Sequence, residues 1–478
     1  MKSVQALSGS TRTAVLLSLV FVAINSVFVA NEFFFLGLIP ALLVVGLMYF
    51  TIPDKILILI SFLTPVAVNL SSYDVNIGVS LPTEPLLAAL LLLIVAKLLF
   101  DKKFDKKILT HPLSLAVYFY FVWMIITIFT SELPLISLKA FIAKLWFIVP
   151  AYFFGAYIFR NIKNIKAFVY AYIAGFIIVI IYTMIHHAIF GFTSESAHWV
   201  MSPFYNDHTS YGAILAMFIP FITGMVFDEK QKVTTRWLWF AVLVLFVTAI
   251  LLSVSRAAWA SVLLAAGVWF LIYFRIKFKW VFGISLIFFL LIFAYKEQII
   301  MKMEKNKQDA KGGLVQHVES VSNVATDASN LERINRWNCA LRMFADRPVF
   351  GYGPGTYQFV YAPFQKSYEK TVISTNTGNR GTAHSEYLLI LSEEGLLGGL
   401  SLLIIFSLIV YFALQNMKIS DDKELRFLNL LLFLGIVTYM AHAFFNNFLD
   451  TDKAAIPFWG FTAALIAINI KAKTSEIS

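Results

Sequence analysis

Apolar runs about twenty residues long recur along almost the whole chain, separated by short clusters of Lys and Arg. A helix of that length matches the hydrocarbon core of a bilayer, about 30 Å at about 1.5 Å per residue. In lipid, backbone polar groups must be satisfied within the segment, so such runs become helices. The expected fold is all-α, a polytopic membrane bundle of about 12–14 transmembrane helices with one large, partly helical outer loop. Fourteen candidates centre near residues 22, 43, 62, 92, 121, 150, 178, 218, 246, 265, 288, 399, 436 and 462. Those at 54–70 and 81–100 are short enough to be tilted, re-entrant or kinked at Pro65, Pro82 and Pro85. With 59% hydrophobic and 14% charged residues, against about 25% charged in soluble domains, a water-soluble globule is excluded. Cys339 is the single cysteine, so neither an internal disulfide nor a thiolate zinc site is available.

The net charge of +10 would suggest nucleic acid if the charges were together, but they lie between the spans and no nucleic-acid motif accompanies them. One alternating set of loops carries Lys2, Arg12, Lys55, Lys97 and the lysines of 101–107, Arg160, Lys163, Lys166, Lys230, Lys232, Arg236, Arg275, Lys277, Lys279, Lys418, Lys423, Arg426, Lys471 and Lys473. The opposite short loops and span ends carry only Lys139, Lys144, Arg256 and Lys453. Basic residues translocate poorly, so the first set is expected to be cytoplasmic. Both termini then lie inside and the long loop outside, dividing the chain into N-terminal spans (1–296), an outer loop (297–384) and C-terminal spans (385–478). Val27–Ala30 resembles a signal-peptide cleavage site; an uncleaved first helix is the favoured reading.

Within the outer loop, residues 302–330 are polar and lack aromatics, and are expected to be mobile. In 331–344, Leu331, Ile334, Trp337, Leu341 and Phe344 recur at helical spacing, and Ser329 and Glu332 are spaced as a capping box. A helix lying on the membrane surface is expected, ended by Pro348 and the glycines of 351–357. Those glycines could also offer amides to a phosphate, although an ordinary turn is the simpler reading.

Ionisable groups at membrane depth are costly, so those mapping to the outer ends of spans are the site candidates. Arg256 would snorkel to lipid headgroups or meet an anion. Arg333 and Arg336, three apart, could grip one anion together, or lipid phosphate. Lys144 lies deeper on its span. His384 stands where the outer loop re-enters the membrane and can accept a proton. Asp207, His208, Tyr211, Glu386 and His442 are candidate supporting residues. A three-histidine metal site or an Asp450-x-Asp452 metal pair is conceivable, but no two histidines are spaced as ligands on one helix, and no metal or other cofactor is expected. Cationic groups at one face suit an anionic leaving group: a lipid diphosphate carrying a sugar, with a histidine taking the proton of the attacking hydroxyl.

The order of these residues resembles the O-antigen ligase and polymerase family of bacterial envelope glycosyltransferases. The resemblance rests on Ser255-Arg256; Arg333 and Trp337; Pro348, Gly351 and Gly353; His384; and Glu394-Gly395-Leu396-Leu397-Gly398. It covers 252–398, with the remainder similar only as a multi-span bundle; fourteen spans exceed the family's usual twelve or so. It implies transfer of a glycan from undecaprenyl diphosphate to an acceptor hydroxyl on the outer face of the inner membrane, with inversion and without metal or nucleotide. Arg256 and Arg333 would bind the diphosphate and His384 would activate the acceptor. Arg336, an extra arginine, leaves open which one holds phosphate. A ligase acting on lipid A core is expected; a polymerase, a protein O-oligosaccharyltransferase and, from a different class, an anion transporter are the alternatives.

Overall fold

The structure, a computed structural model, describes residues 51–70, 78–100, 104–276, 328–371, 374–375 and 381–477, with scattered positions between 20 and 49 and between 283 and 295. The spans expected near 22, 43 and 288, and residues 302–327 of the polar stretch, lie outside or largely outside the described residues. Two compact units, Met1–Ile56 and Leu57–Ser478, divide the chain, and the second holds every element from α2 onward.

Helix α1 (Pro53–Val66) has 14 residues. The next helices are α2 (Thr83–Phe100), α3 (Pro112–Phe129), α4 (Pro134–Ile158), α5 (Ile162–Ile189), α6 (His208–Phe227), α7 (Val233–Leu252) and α8 (Arg256–Tyr273). After the long segment that follows α8 and holds α9 (Ala328–Asp346) come α10 (Glu386–Ile419), α11 (Lys423–His442) and α12 (Asp452–Ile477). Among the described residues, α2–α8 and α10–α12 are ten helices long and apolar enough to cross a membrane. The only strands among the described residues are the two-residue pair Val68–Asn69 and Ser80–Leu81. The protein is an all-α membrane bundle.

Composition decides which helix is central. The spanning part of α12 is buried over 94% of its length, against 17% for α7 and for α8; its alanines, Gly460 and Thr462 let neighbours approach closely. Deep in the core the three C-terminal helices are clasped by amides. Asn416 Nδ2 donates to Asn429 Oδ1 at 2.8 Å, and Asn469 Nδ2 to Asn416 Oδ1 at 2.7 Å. Where lipid offers no competing partner, such pairs hold register.

Antiparallel succession sorts the helix ends into two groups. At one end Lys107 meets Thr474, Arg160 meets Asp105 and Lys166 meets Glu424; this end carries the Lys and Arg clusters. The other end gathers the starts of α6, α8, α10 and α12, and there Glu386 N–H donates to Ala443 O at 2.9 Å. Lys453, a basic residue at this second end, has a local reason for being there: its Nζ donates to the carbonyls of Thr64 and Ala67, which close α1.

Candidate active site

The junction of α7 and α8 sets the first cation. α7 stops at Leu252, Val254 sits at φ 52°, and α8 opens at Arg256. A β-branched residue in the left-handed region costs about 1–3 kcal/mol and is kept only where its surroundings enforce it. Here α6 enforces it: a Cβ on Gly212 would lie 2.8 Å from Ser255 Cβ, so the junction is wedged against α6. No side chain caps α8. The positive end of an 18-residue helix dipole and the Arg256 guanidinium therefore share one corner.

Helix α9 delivers the other two arginines differently. Arg336 is 3% exposed; its Nε donates to Glu332 Oε1 at 2.6 Å, its guanidinium lies 4.0 Å from the centre of the Tyr361 ring, and Nη2 donates to Thr375. Burial works against its charge, yet the hydrogen bond and charge of Glu332 outweigh that and hold it above the ordinary arginine value. Arg333, one turn back, lies half-buried within electrostatic reach of Arg256 and Asp207. Burial and the Arg256 charge push it down to about 10, with Asp207 opposing. Two like charges held together against desolvation are poised for an anion.

One face of α9 also addresses His384. Trp337, four residues after Arg333, donates its indole N–H to the His384 carbonyl at 3.2 Å. His384 has φ 48°, a second strained residue at the site. Burial, then Arg333 and Arg336, push its imidazole down to about 4, opposed by Asp207 and a hydrogen bond to Asn446. At neutral pH it is uncharged, with a lone pair to offer. Asp207 caps α6 through Oδ1, accepting from Thr209 and Ser210 N–H at 2.8 Å each. His208 donates Nδ1–H to Ser253 O at 2.9 Å, and His442, 1% exposed, meets Asn446.

The glycine motifs form a lock that docks the segment after α9 on a broken membrane helix. Within α10, Gly395 has φ 68° and interrupts the helix. Into the break Leu396 N–H donates to Pro348 O, and Gly353 N–H to Glu393 O at 2.7 Å. The Glu393 carboxylate accepts from Gly355 and Tyr357 N–H, both at 2.8 Å. Added Cβ atoms on Gly351 and Gly395 would come 2.4 Å from Glu393 backbone and 2.1 Å from Val349 O. These amides are taken by the protein's own Glu393 side chain.

Arg256, Arg333, His384, Asp207, His208 and His442 are thus brought together. Lys144 is not among them: its Nζ pairs with Asp450 at 2.6 Å and lines a cavity with Tyr120 and Glu386. Glu386 is fully buried there, accepting from the Tyr439 O–H and the Leu449 N–H. Tyr211 lines a separate small cavity with Thr183 and His187. Asp450 and Asp452 diverge, the latter accepting from Thr83 and its neighbour's N–H. Among the described residues no three His, Cys, Asp or Glu side chains group as a metal site.

Two expectations for α9 need correcting. The helix is under way at Ala328, so Ser329 is not its cap, and the Glu332 carboxylate turns sideways to Arg336, Thr371 and Ser374. The buried face is Glu332, Asn335, Arg336, Cys339 and Met343, with the expected apolar row left more open, Leu341 at 46% exposure. Sequence reading missed Asn446 and the Glu393 clamp; neither is marked by local spacing.

Residues 240–403 match the family model described as O-antigen ligase. No curated protein matches the chain. The matched stretch holds Arg256, Arg333, His384 and the glycine lock, and over it the chain is similar to the O-antigen ligase family.

Proposed function

We propose that the protein transfers a glycan from undecaprenyl diphosphate to an acceptor hydroxyl at the periplasmic face of the inner membrane, as an O-antigen ligase acting on lipid A core. The observation that carries this reading is that Arg333 lies within electrostatic reach of both Arg256 and His384, the three coming from separate elements. The Lys- and Arg-rich opposite end supports a cytoplasmic assignment for that end and for both termini. The three-part division at 296 and 384 follows from the same assignment.

In the proposed step the acceptor oxygen attacks the anomeric carbon from the face opposite the diphosphate. A C–O bond forms, the bond from that carbon to the phosphate oxygen breaks, and the leaving diphosphate keeps the electron pair. The acceptor's proton passes to His384. Arg256, Arg333 and the α8 N-terminus meet the charge that develops on the leaving oxygen. Inversion follows from this in-line geometry, and neither metal nor nucleotide takes part. The diphosphate also tunes the base: it pairs Arg333, one of the two guanidiniums that depress His384, and so raises its proton affinity as donor binds. Arg336, committed to Glu332 and Tyr361, holds the loop instead of the donor.

The test is reconstitution. Purified protein with glycan-linked carrier and lipid A core, without nucleotide or metal, is expected to yield the joined product. Anion flux through vesicles with no transfer would refute the enzyme reading. In a deletion strain, accumulating long carrier-linked glycan marks a ligase, single-repeat chains a polymerase, and loss of glycoprotein with intact lipopolysaccharide a protein oligosaccharyltransferase.

A further inference from the structure

Directly after α9 the chain presents Pro348, Val349 and Phe350, all three exposed, Val349 at 53% and Phe350 at 40%. The residues on either side of them are held on the turn between α3 and α4. Arg347 Nη2 donates to Glu132 Oε2 at 2.8 Å, and the Tyr352 carbonyl accepts from Glu132 N–H at 3.0 Å; the ion pair itself is half exposed. Between these two anchors the chain dips along α3. The Phe350 ring stacks on Trp123, centres 5.6 Å and planes 13° apart, and Trp123 is buried with its indole N–H donating to Glu394 O at 2.8 Å. α3 ends at Phe129, so at about 1.5 Å per residue the stack lies about 9 Å below the end of that helix. On the other side Pro348 O accepts from Leu396 N–H at 2.9 Å, at the break in α10.

Two exposed apolar stripes flank this dip. Val122, Ile126 and Phe129 follow one another on α3, and Leu396, Leu400 and Leu403 on α10, each set at the three- or four-residue spacing of one helix face. On a spanning helix such a face is covered by lipid, and Val349 and Phe350 continue it from α3 to α10 at the same level. We propose that Pro348–Phe350 is a wedge seated among the acyl chains of the leaflet on the site side of the bundle, with Arg347 and Glu132 keeping their charges at the water line above it. The stretch of chain between α8 and α10 then binds the bilayer directly, and the wedge ties the C-terminal end of α9, the helix that carries Arg333 and Trp337, to the membrane. This holds whatever reaction the site performs.

The experiment measures depth by spin labelling of the full-length protein in vesicles of phosphatidylethanolamine and phosphatidylglycerol. Cys339, the single cysteine, is replaced by Cys339→Ser, and Val349→Cys and Phe350→Cys are made one at a time on that background. Ile404→Cys, on the exposed face of α10, and Glu229→Cys, in the exposed turn between α6 and α7, serve as the lipid and water references. Each protein carries one nitroxide, whose collisions with oxygen, enriched among acyl chains, and with a nickel chelate, confined to water, are read by electron paramagnetic resonance. Labels at 349 and 350 are expected to lose the chelate collisions seen at 229 and to keep oxygen collisions as at 404. Chelate collisions at 349 or 350 equal to those at 229 overturn the inference. A label shielded from both probes also overturns it, because a protein surface then covers the turn. If Phe350→Cys, which gives up the Trp123 stack, does not fold, Val349→Cys decides alone.

Discussion

Replacing Arg336 with methionine and Arg333 with alanine should separate two arginines that sequence alone cannot rank. Arg336 and Glu332 are both almost fully buried, at 4% and 6% side-chain exposure. Removing one member of such a pair leaves the other charged and desolvated, which costs about 3–5 kcal/mol; loss of the Tyr361 stacking adds about 0.5–2 kcal/mol. Glu332 also accepts from Thr371 and Ser374, so the damage extends to the segment that closes over α9. Arg336→Met should therefore loosen the outer loop, seen as earlier proteolysis and a lower Tm, and should lose transfer as a consequence. Adding Glu332→Gln should recover part of the stability, with a coupling of about 1–3 kcal/mol in the double-mutant cycle. Arg333→Ala should leave Tm nearly unchanged while weakening carrier binding. An Arg336→Met protein of wild-type stability that selectively loses carrier binding would refute the assignment of Arg336 as a loop pillar.

Three further outcomes follow. Donor binding should raise the proton affinity of His384, so the acid limb of kcat should lie at higher pH than that of kcat/KM; coincident limbs contradict the tuning. In the folded protein His384 is depressed to about 4 from an unfolded 6.5, so its contribution to stability is present above about pH 6.5 and falls away as pH drops toward 4. A pH titration of chemical denaturation should show that loss shrinking in His384→Gln. Gly351→Ala must place a Cβ 2.4 Å from Glu393 backbone at φ 68°, so it should undock the loop and abolish transfer while leaving membrane insertion intact; wild-type activity would dissolve the lock.

The spans were legible because bilayer thickness imposes a single length and polarity on every crossing, and Thr83–Phe100 through Asp452–Thr474 fall where the apolar runs fall. Arg256 and Arg333 stood out in the sequence because cations at that membrane end are costly, and the structure places Arg333 within electrostatic reach of Arg256 and His384. Lys144 was equally conspicuous, but its partner Asp450 lies 306 residues away, and no local pattern announces such a pair. The reading of 351–357 as a turn was sound, although the partner of its amides is Glu393, a residue that by itself looks like an ordinary buried acid. Asn446 follows His384 by 62 positions and enters only when α11 returns to the same end of the bundle. The helix α9 was found by its period, but its polar face turned inward because Glu332 and Arg336 satisfy each other, which hydrophobicity alone does not register.

The most direct measurement is a paired assay on His384→Ala: affinity for glycan-linked carrier, and turnover with acceptor, on the same preparation, beside Arg256→Ala. The account predicts that His384→Ala binds carrier close to wild type and transfers nothing detectable, while Arg256→Ala loses both. Full turnover by His384→Ala would contradict it.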